Sequence, residues 1–146
     1  TAFAYPLAVA GATIDVRAIA ALAVFFFLFE LSYEVVYDLR DAEGDRVAGV
    51  PTLPAVHGPV VAGRVIDVLA AMSIGVLAGS YLSGRLAWGH AVLAVAPALQ
   101  MLLVRIWRDR GGPTDADCVR LTWLGAAMLL VHQGWLLLGL PGASAV

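Results

Sequence analysis

The sequence has 146 residues, of which 61% are hydrophobic and 14% charged, with a formal net charge of −2. A soluble domain carries roughly 45–50% apolar and about 25% charged residues. The composition therefore excludes an ordinary soluble domain and predicts an integral membrane protein. The near-neutral charge gives no sign of a nucleic-acid partner, and a lone cysteine, Cys118, excludes an internal disulfide and reads as an inert thiol.

The first residues, Thr1 to Thr13, are apolar, contain Pro6 and Gly11, and show neither an initiator methionine nor a recognisable signal peptide. They read as the tail of a preceding helix and its turn, and the chain reads as a fragment or carboxyl-terminal half. The first complete span is Ala18 to Tyr37, with Phe25, Phe26, Phe27 and Phe29 crowded in its middle. Its length matches the roughly 20 apolar residues that a bilayer core requires. Glu30 and Glu34 interrupt its second half. Carboxylates inside a membrane helix are costly, usually face a cavity or a paired arginine, and mark function by default.

A polar loop is predicted from Asp38 to Gly58, broken by Gly44, Gly49, Pro51 and Pro54. Its apolar Thr52-Leu53-Pro54 is expected to pack back on the bundle. The second span is Pro59 to Tyr81. Arg64 and Asp67 lie three apart there and are expected to pair, and Gly75 and Gly79 form a G-x-x-x-G pattern suited to close helix approach. After a turn at Ser83, Gly84 and Arg85, the third span runs from Leu86 to Trp107. Trp88 and Trp107 are expected to mark the membrane boundaries, and Pro97 to kink the helix. A second polar loop, Arg108 to Asp117, ends in a capping-box-like Thr114…Asp117 pair. The last span is Cys118 to Leu140, closed by Pro141 and Gly142, and its His132 and Gln133 suit interhelical hydrogen bonds.

The fold class expected is an all-α integral membrane bundle of about four transmembrane helices plus a partial amino-terminal one. All nine basic residues are arginine. Seven (Arg40, Arg46, Arg64, Arg105, Arg108, Arg110 and Arg120) flank the two loops on one side, whereas Arg17 and Arg85 lie on the other. The positive-inside bias puts the carboxylate-rich loop in the cytoplasm, with the cell inner membrane as the expected location.

The chemistry concentrates between Glu30 and Asp45. On a helical wheel of about 100° per residue with Glu34 at the origin, Asp38 falls near 40°, Asp41 near 340°, Asp45 near 20° and Glu30 near 320°. Five carboxylates thus share one face of a continued helix, while Glu43 points the opposite way. Asp38, Asp41 and Asp45 form an all-oxygen donor set. Such a set suits Mg²⁺, which is usually shared between one or two carboxylates and a substrate phosphate. Zinc would want cysteine or histidine. The EF-hand pattern and the Walker loop are absent. A Mg²⁺ site beside an apolar cavity suggests a lipid-like diphosphate substrate. The CDP-alcohol phosphotransferase pattern fails, since Ala42 and Glu43 follow Asp41 and no later Asp pair appears.

The run Tyr37-Asp38-Leu39-Arg40-Asp41-Ala42-Glu43-Gly44-Asp45-Arg46, followed by Gly49-Val50-Pro51-Thr52-Leu53-Pro54, resembles the second Asp-rich motif of the UbiA superfamily of membrane prenyltransferases. The resemblance extends along the carboxyl-terminal half of that family. It implies transfer of a polyprenyl group from its diphosphate to an aromatic, tetrapyrrole or glycerol-phosphate lipid acceptor. It also implies that Asp38, Asp41 and Asp45 bind Mg²⁺ and that Arg46 touches the diphosphate, with Arg40 a less secure match. Glu34 and Glu30 are added from the wheel as groups that line the cavity or polarise the acceptor. Tyr37 and Phe29 are candidates to face the prenyl chain or a cation. The family's first Asp-rich motif is not found in this sequence, so the chain is expected to supply one wall of the site and to need an amino-terminal half to complete it. The alternative is a non-catalytic Mg²⁺-binding membrane subunit or a transporter-like helical bundle.

Overall fold

The computed structural model describes residues 16–142. The segment Thr1 to Thr13, read above as a helix tail, lies outside them, as does Asp15. Among the described residues five α-helices follow one another: α1 (Val16–Ala48), α2 (Leu53–His57), α3 (Pro59–Leu82), α4 (Val95–Asp109) and α5 (Asp115–Leu137), with a 3-10 helix (Trp88–Ala94) leading into α4. No strand occurs among the described residues. Among the described residues, three stretches are long and apolar enough to cross a membrane: α1, α3, and the 3-10 helix continued by α4. Helix α5 has 23 residues, but Arg120, His132 and Gln133 dilute its apolar character.

Helix α1 overrides the predicted loop. It does not stop at Asp38 but runs ten residues further, to Ala48. The only breaker in that stretch is Gly44, which costs about 1 kcal/mol in a helix interior and contacts nothing on its open side. The helix ends where Gly49 takes φ 72°. The Val50 amide then reaches the Asp45 carbonyl at 2.8 Å and the Gly49 amide the Arg46 carbonyl at 3.4 Å, the paired closure that a left-handed glycine permits. The same closure ends α5 around Gly139, three residues short of the predicted Leu140. Thr52-Leu53-Pro54 does fold back: Pro54 is buried, and the short α2 packs against α1 and α3.

Helices α1 and α3 meet along narrow, regularly spaced faces. Phe25, Phe29, Ser32 and Val36 are the buried residues of α1; Ala62, Gly63, Ile66, Ala70, Ser73 and Leu77 are among those of α3. Small residues let helix backbones approach in an apolar solvent, and here the buried Ala62, Ala70 and Ser73 are small, while Gly63 leaves room for the Arg108 side chain of α4. The G-x-x-x-G pair does not serve close approach, because a Cβ on Gly75 or Gly79 would meet nothing within 4 Å. The core has two apolar clusters. One joins Val36, Ile66, Val104, Trp107, Cys118 and Leu121; the other joins Phe25, Leu77, Leu86 and Leu93. Between them in sequence, Gln100 Nε2 donates to Ser32 Oγ at 2.8 Å, and Ser32 Oγ donates to the Phe29 carbonyl at 2.6 Å.

Four local expectations change. Trp107 is a core residue, 4% exposed, rather than a boundary marker, whereas Trp88 is half exposed. Pro97 does not kink a continuous helix. It sits in the first turn of α4, where an amide has no helical acceptor to lose, directly after the 3-10 segment. Asp67 pairs across helices with Arg105 at 3.5 Å rather than with Arg64. Of the two polar residues near the end of α5, His132 bonds His90 at 2.9 Å, and Gln133 is exposed.

The second loop is held by a capping box. Thr114 Oγ1 accepts from the Asp117 amide at 3.3 Å, and Asp117 Oδ2 accepts from the Thr114 amide at 2.9 Å. Asp117 Oδ2 also accepts from Thr114 Oγ1 at 2.6 Å and from Arg110. These bonds, the Thr114 ones foremost, hold the Asp117 carboxyl down to about 2, against an unfolded value of about 3.9. A depressed carboxyl stabilises the fold above its unfolded pKa, and that contribution is lost as pH falls through the folded one. Thermal unfolding in detergent is therefore expected to show a fall in stability between about pH 4 and about pH 2. Asp117→Asn should flatten that window and lower the midpoint at neutral pH. An unchanged acid profile in the variant would show that the loop is anchored otherwise.

Candidate active site

Because α1 continues as a helix, Asp38, Asp41 and Asp45 stand on one side of its last three turns. Asp38 and Asp45 are partly buried, and Asp41 is exposed. Asp45 Oδ2 accepts from Thr52 Oγ1 at 2.9 Å, so the returning Thr-Leu-Pro segment fixes the last aspartate of the motif. Asp41 receives both arms of the Arg40 guanidinium, Nε to Oδ1 at 2.7 Å and Nη2 to Oδ2 at 2.5 Å. Arg46 turns instead to Glu43, on the opposite side of α1.

Arg40 is itself held from other directions. Its Nε lies 3.4 Å from Asp115 Oδ1, at the start of α5, and its Cζ lies 5.0 Å from the centre of the Tyr37 ring. The Tyr37 hydroxyl meets Thr122 Oγ1 at 2.6 Å. Thr122 spends its own proton on the Cys118 carbonyl at 3.0 Å, so Tyr37 is the donor. One turn earlier, the Tyr33 hydroxyl donates to the Leu121 carbonyl. It reaches that carbonyl beside Gly125, where a Cβ would stand 3.0 Å from the hydroxyl.

These two tyrosines cross a cavity of about 330 Å³ between α1 and α5. Its walls are largely apolar, with Phe25, Phe26 and Phe29 at one end and Tyr37 and Thr122 at the other. Glu30 and Glu34 also line it, and neither has an ion-pair partner among the described residues. Two carboxylates thus face an apolar space. Phe29 is buried and packs edge-on against Tyr33.

The predicted site residues therefore divide. Asp38, Asp41, Asp45, Arg40 and Tyr37 gather at the Asp-rich end of α1, Glu34 and Glu30 look into the cavity, and Arg46 faces away with Glu43. Thr52, part of the motif tail, joins the aspartates through Asp45, and Tyr33, Thr122 and Asp115 join this region without having been singled out. Tyr33 was detectable, since it lies four residues before Tyr37 on the same helical face. Thr122 and Asp115 depend on which helix ends meet, which their own sequence surroundings do not carry. Among the described residues, no three His, Cys, Asp or Glu side chains converge closely enough to hold a metal ion. The donor chemistry still fits Mg²⁺, whose shell is normally completed by water and phosphate oxygens rather than by an all-protein cage.

A helical, membrane-type bundle whose aspartate-bearing helix also lines an apolar cavity defines the class, and comparison supplies the family. Residues 1–125 match the UbiA prenyltransferase family, and the chain belongs to it. It is 37% identical over 124 residues to a digeranylgeranylglyceryl phosphate synthase of Methanopyrus kandleri, covering 83% of this chain and 45% of the relative. It is 34% identical over 119 residues to the synthase of the same name from Natronomonas pharaonis, covering 78% and 39%. The chain thus spans less than half the length of the curated relatives it matches. No solved structure matches it significantly.

Proposed function

We propose that this chain forms one wall of a Mg²⁺-dependent membrane prenyltransferase that moves a polyprenyl group from its diphosphate to a lipid acceptor carrying a glyceryl phosphate. The observation that supports the reading is the continuous α1, which carries Asp38, Asp41 and Asp45 in the turns that follow Glu30 and Glu34, and these two glutamates line the apolar cavity. The names of the relatives point to the glyceryl phosphate acceptor. The orientation proposed puts the Asp-rich end at the cytoplasmic face of the cell inner membrane, following the arginine bias.

In this reading Asp38, Asp41 and Asp45 would hold Mg²⁺, which supplies charge stabilisation to a departing diphosphate. Arg40 is close enough to the aspartates to serve the same anion, and Arg46 remains a candidate only with a different rotamer. The C–O bond to the allylic carbon breaks with its electron pair leaving on the diphosphate. The aromatic wall of Phe25, Phe26, Phe29 and Tyr33 keeps water from the electron-poor prenyl carbon. The acceptor's hydroxyl oxygen forms the new C–O bond to that carbon, and its proton would pass to Glu34, which lies one turn below Asp38 and lines the cavity. An amino-terminal half supplies the opposing wall.

The test is an assay of the complete protein in membranes, with labelled geranylgeranyl diphosphate and geranylgeranylglyceryl phosphate. Product is expected with Mg²⁺, is expected to disappear with EDTA, and should return when Mg²⁺ is restored. Product that is insensitive to EDTA would refute the metal role. Transfer to an aromatic acid but not to the glyceryl lipid would move the protein to another acceptor class.

A further inference from the structure

The motif's Asp41 already has a partner, and that partner is a cation. Arg40 covers both Asp41 oxygens with its planar fork, the arrangement in which arginine binds carboxylates and phosphates most strongly. Adjacent helical residues do not face each other, so this fork has to bend along the helix to reach Asp41. Two other groups hold it there. Asp115, reached from α5, lies 3.4 Å from Nε, and the Tyr37 ring lies under Cζ at 5.0 Å, within the range of a cation–π contact. Tyr37 is fixed in turn by Thr122. The Arg40 side chain is only 26% exposed, whereas that of Asp41 is 50% exposed.

Resting on the proposed Mg²⁺–diphosphate site, the geometry points to Arg40 as a counter-ion that changes partners: it pairs with Asp41 when the motif is empty of metal, and with the diphosphate once a divalent cation takes Asp41. A dication and the guanidinium compete for the same two oxygens, so they cannot both hold Asp41 fully. When Arg40 lets go, Asp115 and Tyr37 keep it at the rim, and its donors become available to phosphate oxygens, for which the fork has matching geometry. Metal alone must displace an arginine and gains little. Metal arriving with diphosphate gives the displaced arginine a new anion. Binding of the two ligands is therefore cooperative, and Arg40 is the element that couples them.

The experiment uses the complete protein in detergent, with Mn²⁺ followed by electron paramagnetic resonance as the metal probe and inorganic pyrophosphate as the anion probe. In the wild type, pyrophosphate is expected to tighten Mn²⁺ binding by about tenfold or more, a coupling of the usual size for linked sites. Arg40→Gln should tighten Mn²⁺ binding in the absence of pyrophosphate by several-fold and abolish the gain from pyrophosphate. Arg40→Lys keeps the charge without the fork and should restore part of that gain. Asp115→Asn should reduce the gain from pyrophosphate, because Arg40 then loses the carboxylate that holds it at the rim. An Arg40→Gln protein that binds Mn²⁺ no better than wild type, or that keeps the full gain, overturns the exchange. A wild-type protein whose Mn²⁺ binding ignores Asp41→Ala and Asp45→Ala overturns the metal site beneath it, a different and separable failure.

Discussion

Asp41→Ala and Asp45→Ala are each expected to abolish prenyl transfer by the complete protein while leaving its fold largely intact. Both residues stand on the carboxylate face of α1, Asp41 exposed and Asp45 partly buried, and neither belongs to the apolar clusters that pack the bundle. Removing a ligand takes away metal-based charge stabilisation worth several kcal/mol, which corresponds to a rate loss of about 10³-fold or more. The control is Glu43→Ala. Glu43 pairs with Arg46 on the far side of the helix, and such exposed pairs contribute about 0–1 kcal/mol. Its turnover should stay within about threefold of wild type. Thermal unfolding and Mg²⁺-dependent turnover, measured side by side, check the set. Two aspartate variants with normal turnover would end the assignment of the motif, and a Glu43 variant as damaged as they are would show that the active face of α1 has been misplaced.

The second large effect concerns the segment by itself. Residues 1–146, expressed alone in membranes, are expected to give no prenyl transfer, and co-expression with a matching amino-terminal half is expected to restore it. The segment offers aspartates from a single helix, and no three metal-binding side chains converge among the described residues. A diphosphate carries several negative charges, so it needs opposing ligands to stay in place beside three carboxylates. The cavity between α1 and α5, about 330 Å³, is also small for a long prenyl chain. Mg²⁺-dependent product from the segment alone would show that one wall suffices. Product only on co-expression would place the missing ligands on the other half.

What the sequence revealed and what it hid follow from range. Apolar run lengths located the three helices long and apolar enough to cross a membrane, since a span is a local property of about 20 residues. The fourth expected span, Cys118 to Leu140, falls on α5, which is not among them. The wheel placed the carboxylates correctly on one face because helical geometry is also local. The error was the boundary at Asp38. Polar residues look like loop, yet Leu39, Arg40, Ala42 and Glu43 are good helix formers, and only Gly49 supplies the conformation that stops the helix. Partner choice was the least legible. Asp67 had a basic neighbour three residues away in Arg64 but pairs with Arg105 on α4. Trp107 has the sequence surroundings of a boundary residue, yet it fills a space defined by Val36 and Leu121 from distant helices. Likewise, nothing beside Arg40 in the chain announces that Asp115 will meet it.

The reach of α1 has a consequence for how an amphiphile meets the protein. At about 1.5 Å per residue, 33 residues extend about 50 Å, whereas a hydrocarbon core is about 30 Å thick. The helix therefore outruns the oily layer by several turns. If its amino-terminal end starts near one surface, it emerges from the other close to Tyr37, with Asp38 to Asp45 on the part that stands among headgroups and water. Glu34 and Glu30 then lie roughly 6 and 12 Å below Asp38, already within the oil. A molecule with a diphosphate head and an isoprenoid tail has the same division along its own length. Such a molecule could slide in sideways from the leaflet with its tail never leaving the bilayer and its head never leaving water. Neither end would then have to be desolvated merely to reach the site. The cost of drying would fall only on the one bond that changes, at the level where the helix passes from oil to water.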